Sequence, residues 1–238
     1  MRSIQSFARM AGVLFLVSMV AGFFGELYAP SHIIVSGDAA ATARNIVAFN
    51  SLFRAGFAAY LVEAVCDISL SLVMYELLKA VRKDLALLAA FFGLVSTAVF
   101  AVAELFYFGS SLIVRSGGHL SGFSPDQLNS LALLSLRMYV LGGGIFMAFY
   151  GLATLIRGYL IYRSGYLPKA LGALLALAGL GFIASNFVLV LSPAYASDVL
   201  LLPMFLAGMA TTVWLLVKGV DAEKWEARAA IGDASARG

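Results

Sequence analysis

The stretch AGFAAYLVEAVCDISLSLVMYELLK, residues 55–79, is long and apolar enough to cross a lipid bilayer. Two acidic residues, Glu63 and Asp67, lie in its middle. At about 1.5 Å per residue, Asp67 is roughly 18 Å from the Lys79 end of such a helix, close to mid-bilayer. Ionisable groups at this depth are costly and normally face the protein interior or a water-filled cavity. We therefore expect the other helices to cover these two side chains.

The polar residues of this helix lie on one face, about 120° wide at about 100° per residue, which we term the polar stripe. It consists of Tyr60, Glu63, Asp67, Ser71 and Tyr75. The apolar residues Leu61, Val65, Ile68 and Leu72 lie off the stripe. This pattern predicts that the polar stripe faces inward.

Glu63 and Asp67, with Tyr60 and Ser71, form the candidate site for a proton, a cation or a small ligand, in a cavity open to the outside. Two carboxyl groups one helical turn apart in a low dielectric are not both ionised without cost. The pair is therefore predicted to hold at least one proton at neutral pH. The alternative is that the acids are protonated, hydrogen-bonded to neighbouring helices, and serve only to hold the bundle together.

The composition defines the class of protein. Of 238 residues, 62% are hydrophobic and 12% are charged, whereas a soluble domain has about 25% charged residues. The chain is therefore predicted to be an all-α, polytopic membrane protein with the lipid bilayer as its partner. Its net charge of +3 comes from Lys and Arg beside the spans, so we expect no nucleic-acid partner.

Six membrane spans are predicted. They cover about residues 10–28, 55–79, 85–114, 137–157, 170–191 and 199–217. The first is interpreted as an uncleaved anchor, because no good signal-peptidase site follows it. We expect one transmembrane domain over residues 1–220 and a short charged cytoplasmic tail over residues 221–238.

The distribution of basic residues predicts the orientation. With both termini inside, 12 of the 16 Lys and Arg residues, Arg157 among them, lie on the inner face. The outer face has Arg44, Arg54, Arg115 and Arg137. The expected location is the cytoplasmic (inner) membrane of a bacterium, with an N-in/C-in topology.

Two helix starts outside the spans carry clear signals. Asp38 is a candidate cap for a short helix in the first outer connection. Ser124, followed by Pro125 and by Gln127 three residues after the serine, matches a capping box. The helix that begins there could continue to Arg163, which exceeds the bilayer thickness, so its first part is expected to lie outside or to bend.

Glu104 extends the site toward the outside. It lies near the outer end of the third span, as do Glu26, Arg54 and Arg137 of other segments. The favoured interpretation is interfacial salt bridges and snorkelling. In the alternative, these residues rim a funnel that leads to Glu63 and Asp67. Arg137 would then neutralise Glu104, and it is the one cation expected to reach inward.

The chain shows no pattern for a metal, a cofactor or catalysis. Its two histidines, His32 and His119, lie in outer connections, so we expect neither haem nor zinc. Three functions are compatible with the sequence: a protein that binds or conducts a proton or small ligand, a structural or accessory membrane subunit, and, least favoured, a lipid-processing enzyme.

Several motifs together resemble one known family. These are Ala11–Leu16 (AGVLFL), the Glu-bearing second and third spans, and Tyr162–Pro168 (YRSGYLP) with Gly172 four residues on. They resemble the bacterial six-helix membrane proteins grouped as domain of unknown function 4386, over roughly residues 8 to 218. The resemblance implies the fold and a bacterial origin, but no reaction. The family commonly has an Arg three residues before the third-span glutamate, where this chain has Ala101, so no Arg–Glu pair is expected within that helix.

Overall fold

The computed structural model describes residues 3–116, 119–192 and 202–235, and these residues form helices and turns without a strand. The helices are α1 (Ile4–Gly22), a π-helix (Phe23–Tyr28), α2 (Ala29–Ile33), α3 (Ala39–Ala48), α4 (Asn50–Leu78), α5 (Lys83–Val114), α6 (Pro125–Ser164), α7 (Lys169–Leu191), α8 (Leu202–Val217) and α9 (Ala222–Ser235). The predicted all-α class is confirmed.

Five helical stretches are long and apolar enough to cross a membrane: Ile4–Ile33, Asn50–Leu78, Lys83–Val114, Pro125–Ser164 and Lys169–Leu191. Helices α8 and α9, which are bent by 101° at the break between them, make a sixth candidate. The predicted multi-pass architecture is confirmed. Residues 199–201 of the predicted sixth span lie outside the described residues. The N-in/C-in orientation and the identity of the membrane stay predictions.

Both predicted helix starts are confirmed. The Asp38 carboxylate accepts a hydrogen bond of 2.8 Å from the backbone N–H of Ala41, and so caps α3. At the start of α6, the Ser124 hydroxyl accepts from the Gln127 N–H (3.3 Å), while the Gln127 side chain accepts from the Ser124 N–H (2.8 Å). This reciprocal pair is a capping box.

One helical stretch is longer than predicted, and another runs unbroken over the length that the sequence allowed. The first continues past Tyr28 to Ile33, because Pro30 lies in the first turn of α2, where a missing N–H breaks no intrahelical bond. Helix α6 has 40 residues, about 60 Å at 1.5 Å per residue, and stays helical through Gly142–Gly144. Three glycines in a row therefore do not end this helix.

The chain divides into two compact units, which we describe separately. Unit 1 contains Met1–Val17, Cys66–Thr97 and Gly144–Gly238, and unit 2 contains Ser18–Val65 and Ala98–Gly143. Unit 1 therefore includes one end of α4 and unit 2 the other. The residues of the polar stripe are divided accordingly.

In unit 1, α6 and α7 pack through glycines spaced seven residues apart. Gly151 and Gly158 on α6 lie against Gly179 and Gly172 on α7. A Cβ added at Gly158 would lie 2.4 Å from the backbone nitrogen of Ala176, closer than any real carbon–nitrogen contact. Small residues that let two backbones approach are a common means of helix association in membranes.

In unit 2, glycines and aromatic rings form the core around the candidate site. A Cβ at Gly25 would lie 3.0 Å from the carbonyl oxygen of Gly56, so the first helical stretch and α4 are close there. The rings of Phe53 and Tyr107 stack with centroids 4.3 Å apart. Tyr107, which is buried, lies on α5 one turn after Glu104.

Candidate functional site

Helix α4 is rotated as the polar stripe predicts. Tyr60, Asp67 and Ser71 are buried, at 3%, 9% and 3% exposure. The four apolar residues off the stripe, Leu61, Val65, Ile68 and Leu72, are at least 50% exposed. Whether the stripe binds a ligand stays a prediction.

The two acids of the stripe belong to different units. Tyr60 and Glu63 lie in unit 2, whereas Asp67 and Ser71 lie in unit 1. Each acid therefore has to be considered with the other residues of its own unit. The titration of Glu63 and Asp67 as one pair stays a prediction.

In unit 2, three acids from three helical segments form what we term the glutamate cluster: Glu26, Glu63 and Glu104. The carboxyl group of Glu104 is near enough to those of Glu26 and Glu63 to interact electrostatically with both. Glu104 is 2% exposed. Oε1 of Glu26 is buried without a hydrogen-bond partner among the described residues. An ionised carboxylate only accepts hydrogen bonds, so a bond between two carboxyl groups would need a proton on one of them.

Glu26 reaches the cluster from the π-helix Phe23–Tyr28. A π-helical turn holds more residues than an α-helical one, so it changes which side chains face inward, and such turns are frequent at functional sites. Gly22 immediately precedes this segment, and a Cβ there would lie 2.7 Å from Oε1 of Glu63. A glycine is therefore needed at this position for the Glu63 carboxyl group to lie where it does.

Two buried tyrosines adjoin the cluster. The Tyr139 hydroxyl donates a hydrogen bond to Oε2 of Glu26. The rings of Tyr139 and Tyr107 are 5.2 Å apart, and the Tyr107 hydroxyl donates to the backbone carbonyl of Phe53 at 3.5 Å. Both rings are buried, and they lower the local dielectric around the carboxyl groups.

The basic residues of unit 2 do not join the glutamate cluster. All four, Arg44, Arg54, Arg115 and Arg137, have exposed side chains. Within the described residues, neither Glu26 nor Glu104 forms a salt bridge. Arg137 is two residues before Tyr139, which faces Glu26. Two residues are about 200° of helical rotation, so Arg137 points away from the cluster.

Unit 1 contains a second ionisable site, which includes a residue that the sequence analysis missed. Arg157 on α6 is 4% exposed, and its Nη2 donates a hydrogen bond of 3.2 Å to Oγ of Ser71. It also interacts electrostatically with Asp67. A Cβ at Gly93 would lie 2.5 Å from the Ser71 oxygen and 2.9 Å from Nη2 of Arg157, so this glycine leaves room for the contact.

The expectation that only Arg137 could bring a cation to the acids is wrong, because Arg157 lies near Asp67. The distribution of basic residues predicts Arg157 at the inner boundary. The sequence does contain one signal: Arg157 is six residues before Arg163, with apolar residues between them. It therefore lies about 9 Å further into the span than Arg163.

Comparison with known proteins agrees with the architecture. A family model described as Domain of unknown function (DUF4386) matches residues 10–219. The chain belongs to this family. It is also similar to an uncharacterized protein of the archaeon Archaeoglobus fulgidus, with 26% identity over 155 residues that cover 65% of this chain and 78% of the relative. No solved structure matches the chain.

Membership in the DUF4386 family confirms the resemblance that the sequence motifs indicated. The several apolar helices of this family member are in keeping with an integral membrane protein. Because the relative is archaeal, bacterial origin stays a prediction.

The two sites of this DUF4386 chain have different chemical capacities. In unit 1, Arg157 interacts electrostatically with Asp67, so that site contains a cation as well as an acid. In unit 2, the glutamate cluster has acids and hydroxyl groups, which can hold and exchange protons. No group of three His, Cys, Asp or Glu side chains suited to a metal ion occurs among the described residues.

Proposed function

We propose that this DUF4386 protein is a multi-pass membrane protein that reversibly binds a proton at the glutamate cluster (Glu26, Glu63 and Glu104). One observation carries the proposal. The carboxyl groups of Glu26 and Glu104, from different helical segments, are near enough to repel each other, and neither forms a salt bridge within the described residues.

Electrostatic repulsion explains why such a pair holds a proton. Two unit charges about 4 Å apart repel each other by about 4 kcal/mol at an effective dielectric constant of about 20. Burial of Glu104 adds the cost of removing its charge from water. The state with one shared proton is therefore favoured over the doubly ionised state.

The surroundings make the two carboxyl groups unequal. Tyr139 donates its hydroxyl hydrogen to Glu26, and a hydrogen bond to the charged form favours that form. Glu104, by contrast, is 2% exposed and has the carboxyl groups of Glu26 and Glu63 as neighbours. In this arrangement Glu26 accommodates the negative charge and Glu104 keeps the proton.

Glu63 supplies a further position for the proton. It lies near the middle of α4 (Asn50–Leu78), and it interacts with Glu104. A proton held at Glu104 thus has two neighbouring carboxyl groups: that of Glu26, which is bonded to Tyr139, and that of Glu63 on α4. Three carboxyl groups in sequence are the arrangement expected of a site that exchanges protons rather than one that traps a single proton.

A purely structural role is the second candidate, and close packing favours it. The Glu63 carboxyl group lies directly against the backbone at Gly22, which leaves no room for another atom at that point. In that case the acids stay protonated at every pH at which the protein is folded, and their hydrogen bonds only hold the helices together.

Infrared spectroscopy distinguishes these candidates, because protonated carboxyl groups have a C=O stretching band that carboxylates lack. We would measure the band at increasing pH in the reconstituted protein. The variants are Glu104→Gln, Glu26→Gln and Glu63→Gln. The control is Glu76→Gln, since Glu76 lies on the same helix as Glu63 but forms a salt bridge with Lys79, outside the glutamate cluster.

The proposal predicts a band at neutral pH that decreases reversibly as pH rises while the fold stays intact. Glu104→Gln should remove the largest part of it, and the control variant should leave it unchanged. A band that does not respond to pH over the folded range would establish the structural role. If the band is absent from the wild-type protein, the proton-binding proposal is wrong.

A further inference from the structure

We propose that a cleft in unit 1, between the α6–α7 turn and the α8–α9 bend, binds the phosphate headgroup of an anionic lipid. The cleft has a volume of about 420 Å³. Its walls include Lys218, Lys224, Trp214, Pro168 and Gly219. None of these residues belongs to the glutamate cluster, so the inference does not depend on the proposed function.

The charge of the cleft suits a phosphate group. Lys218 and Lys224 both line it, and Asp221 is the one acidic residue among the lining residues. The Lys224 ammonium group lies 2.8 Å from the Asp221 carboxylate, whereas Lys218 forms no salt bridge within the part of the chain that the structure describes. The hydrogen bond from Lys224 lowers the pKa of Asp221, so this acid stays ionised and orients Lys224. One positive charge is left for a ligand.

The walls of the cleft are held by hydrogen bonds before any ligand binds. The Gln5 side chain donates to the carbonyl of Lys218 at 2.9 Å and accepts from the N–H of Val220 at 3.0 Å. The N–H of Asp221 donates to the carbonyl of Tyr166 at 3.2 Å. Because these bonds cross between three segments, a ligand does not have to order the cleft, and less of its binding free energy is lost.

The position of the cleft favours a lipid over a dissolved anion. Lys218 directly follows α8, an apolar helix whose last residue, Val217, has a largely exposed side chain. The chain bends by 101° between α8 and α9. The Trp225 indole on α9 donates a hydrogen bond to the carbonyl of Leu77 at 2.9 Å. Lysines and tryptophans next to the end of an apolar helix are typical of the headgroup region of a bilayer.

Native mass spectrometry of the full chain, exchanged into mixed phosphatidylglycerol and phosphatidylcholine micelles, tests the proposal. The wild-type protein should retain phosphatidylglycerol preferentially. The double variant Lys218→Gln/Lys224→Gln should lose about thirtyfold in that preference, because two lysines of the headgroup region are removed. The matched control, Lys79→Gln/Lys83→Gln, removes two lysines of unit 1 that do not line the cleft and should keep the preference.

Three results would overturn the proposal: no preference in the wild-type protein, equal losses in both double variants, or complete displacement of the retained phosphatidylglycerol by inorganic phosphate. The second would indicate general surface charge and the third a site for a soluble anion. If the double glutamine variant fails to fold, Lys218→Arg/Lys224→Arg replaces it. This variant keeps both charges, and it must keep the preference if the proposal is right.

Discussion

Replacing Gly158 with Ala adds one methyl group where α6 and α7 are in backbone contact. The new Cβ would lie 2.4 Å from the nitrogen of Ala176 and 2.7 Å from the carbonyl oxygen of Gly172. Ordinary contacts between such atoms are about 3.5 Å. The two helices would therefore have to separate by about 1 Å along this part of unit 1.

The cost can be worked out from these neighbours. Adding a methylene-sized group to a well-packed core costs about 1–3 kcal/mol. The atoms that the methyl group meets are backbone atoms, which cannot turn aside as a flexible side chain would, so we expect about 3 kcal/mol. Alanine is favoured over glycine within a helix by up to about 1 kcal/mol. The net loss in the free energy of unfolding should be about 2 kcal/mol.

The matched control is Gly143→Ala on the same helix. No atom lies within 4 Å of a Cβ added at Gly143, so this change should leave stability unchanged or raise it by up to about 1 kcal/mol. Reversible unfolding of the detergent-solubilised protein would be followed by circular dichroism for both variants. If the Gly158 variant is as stable as the Gly143 variant, α6 and α7 do not meet through glycine and the packing argument fails.

Two further predictions concern the ionisable sites. Arg157→Leu should lower the free energy of unfolding by about 3–5 kcal/mol, because it leaves Asp67 buried without this cation. The added change Asp67→Asn should restore a large part of that loss in denaturant unfolding; no restoration would show that the two residues are not coupled. Gly22→Ala should displace the carboxyl group of Glu63, 2.7 Å from the new Cβ, and alter the infrared band of the glutamate cluster without unfolding the protein. An unchanged band would mean that Glu63 lies elsewhere.

Properties that depend on composition and on single helices could be predicted from the sequence. The hydrophobic content and the run of apolar segments predict the all-α membrane class, since few other structures satisfy the backbone in lipid. The caps at Asp38 and Ser124 were predictable because a cap involves residues only three apart. The burial of Tyr60, Asp67 and Ser71 was predictable because periodicity alone determines which residues share a helix face.

The partners of each buried ionisable group depended on the tertiary structure. Glu26 and Glu104 are 78 positions apart in the chain. The π-helix that carries Glu26 also changes which of its side chains point inward, and an α-helical pattern does not predict this change. The sequence favoured Arg137 as the cation that reaches inward and placed Arg157 at the inner boundary. The orientation of α6 exposes the Arg137 side chain, and the absence of a side chain at Gly93 leaves space for the Arg157 guanidinium. Which charges meet inside a membrane bundle is decided by the packing of different helices, because periodicity within one helix says nothing about its neighbours.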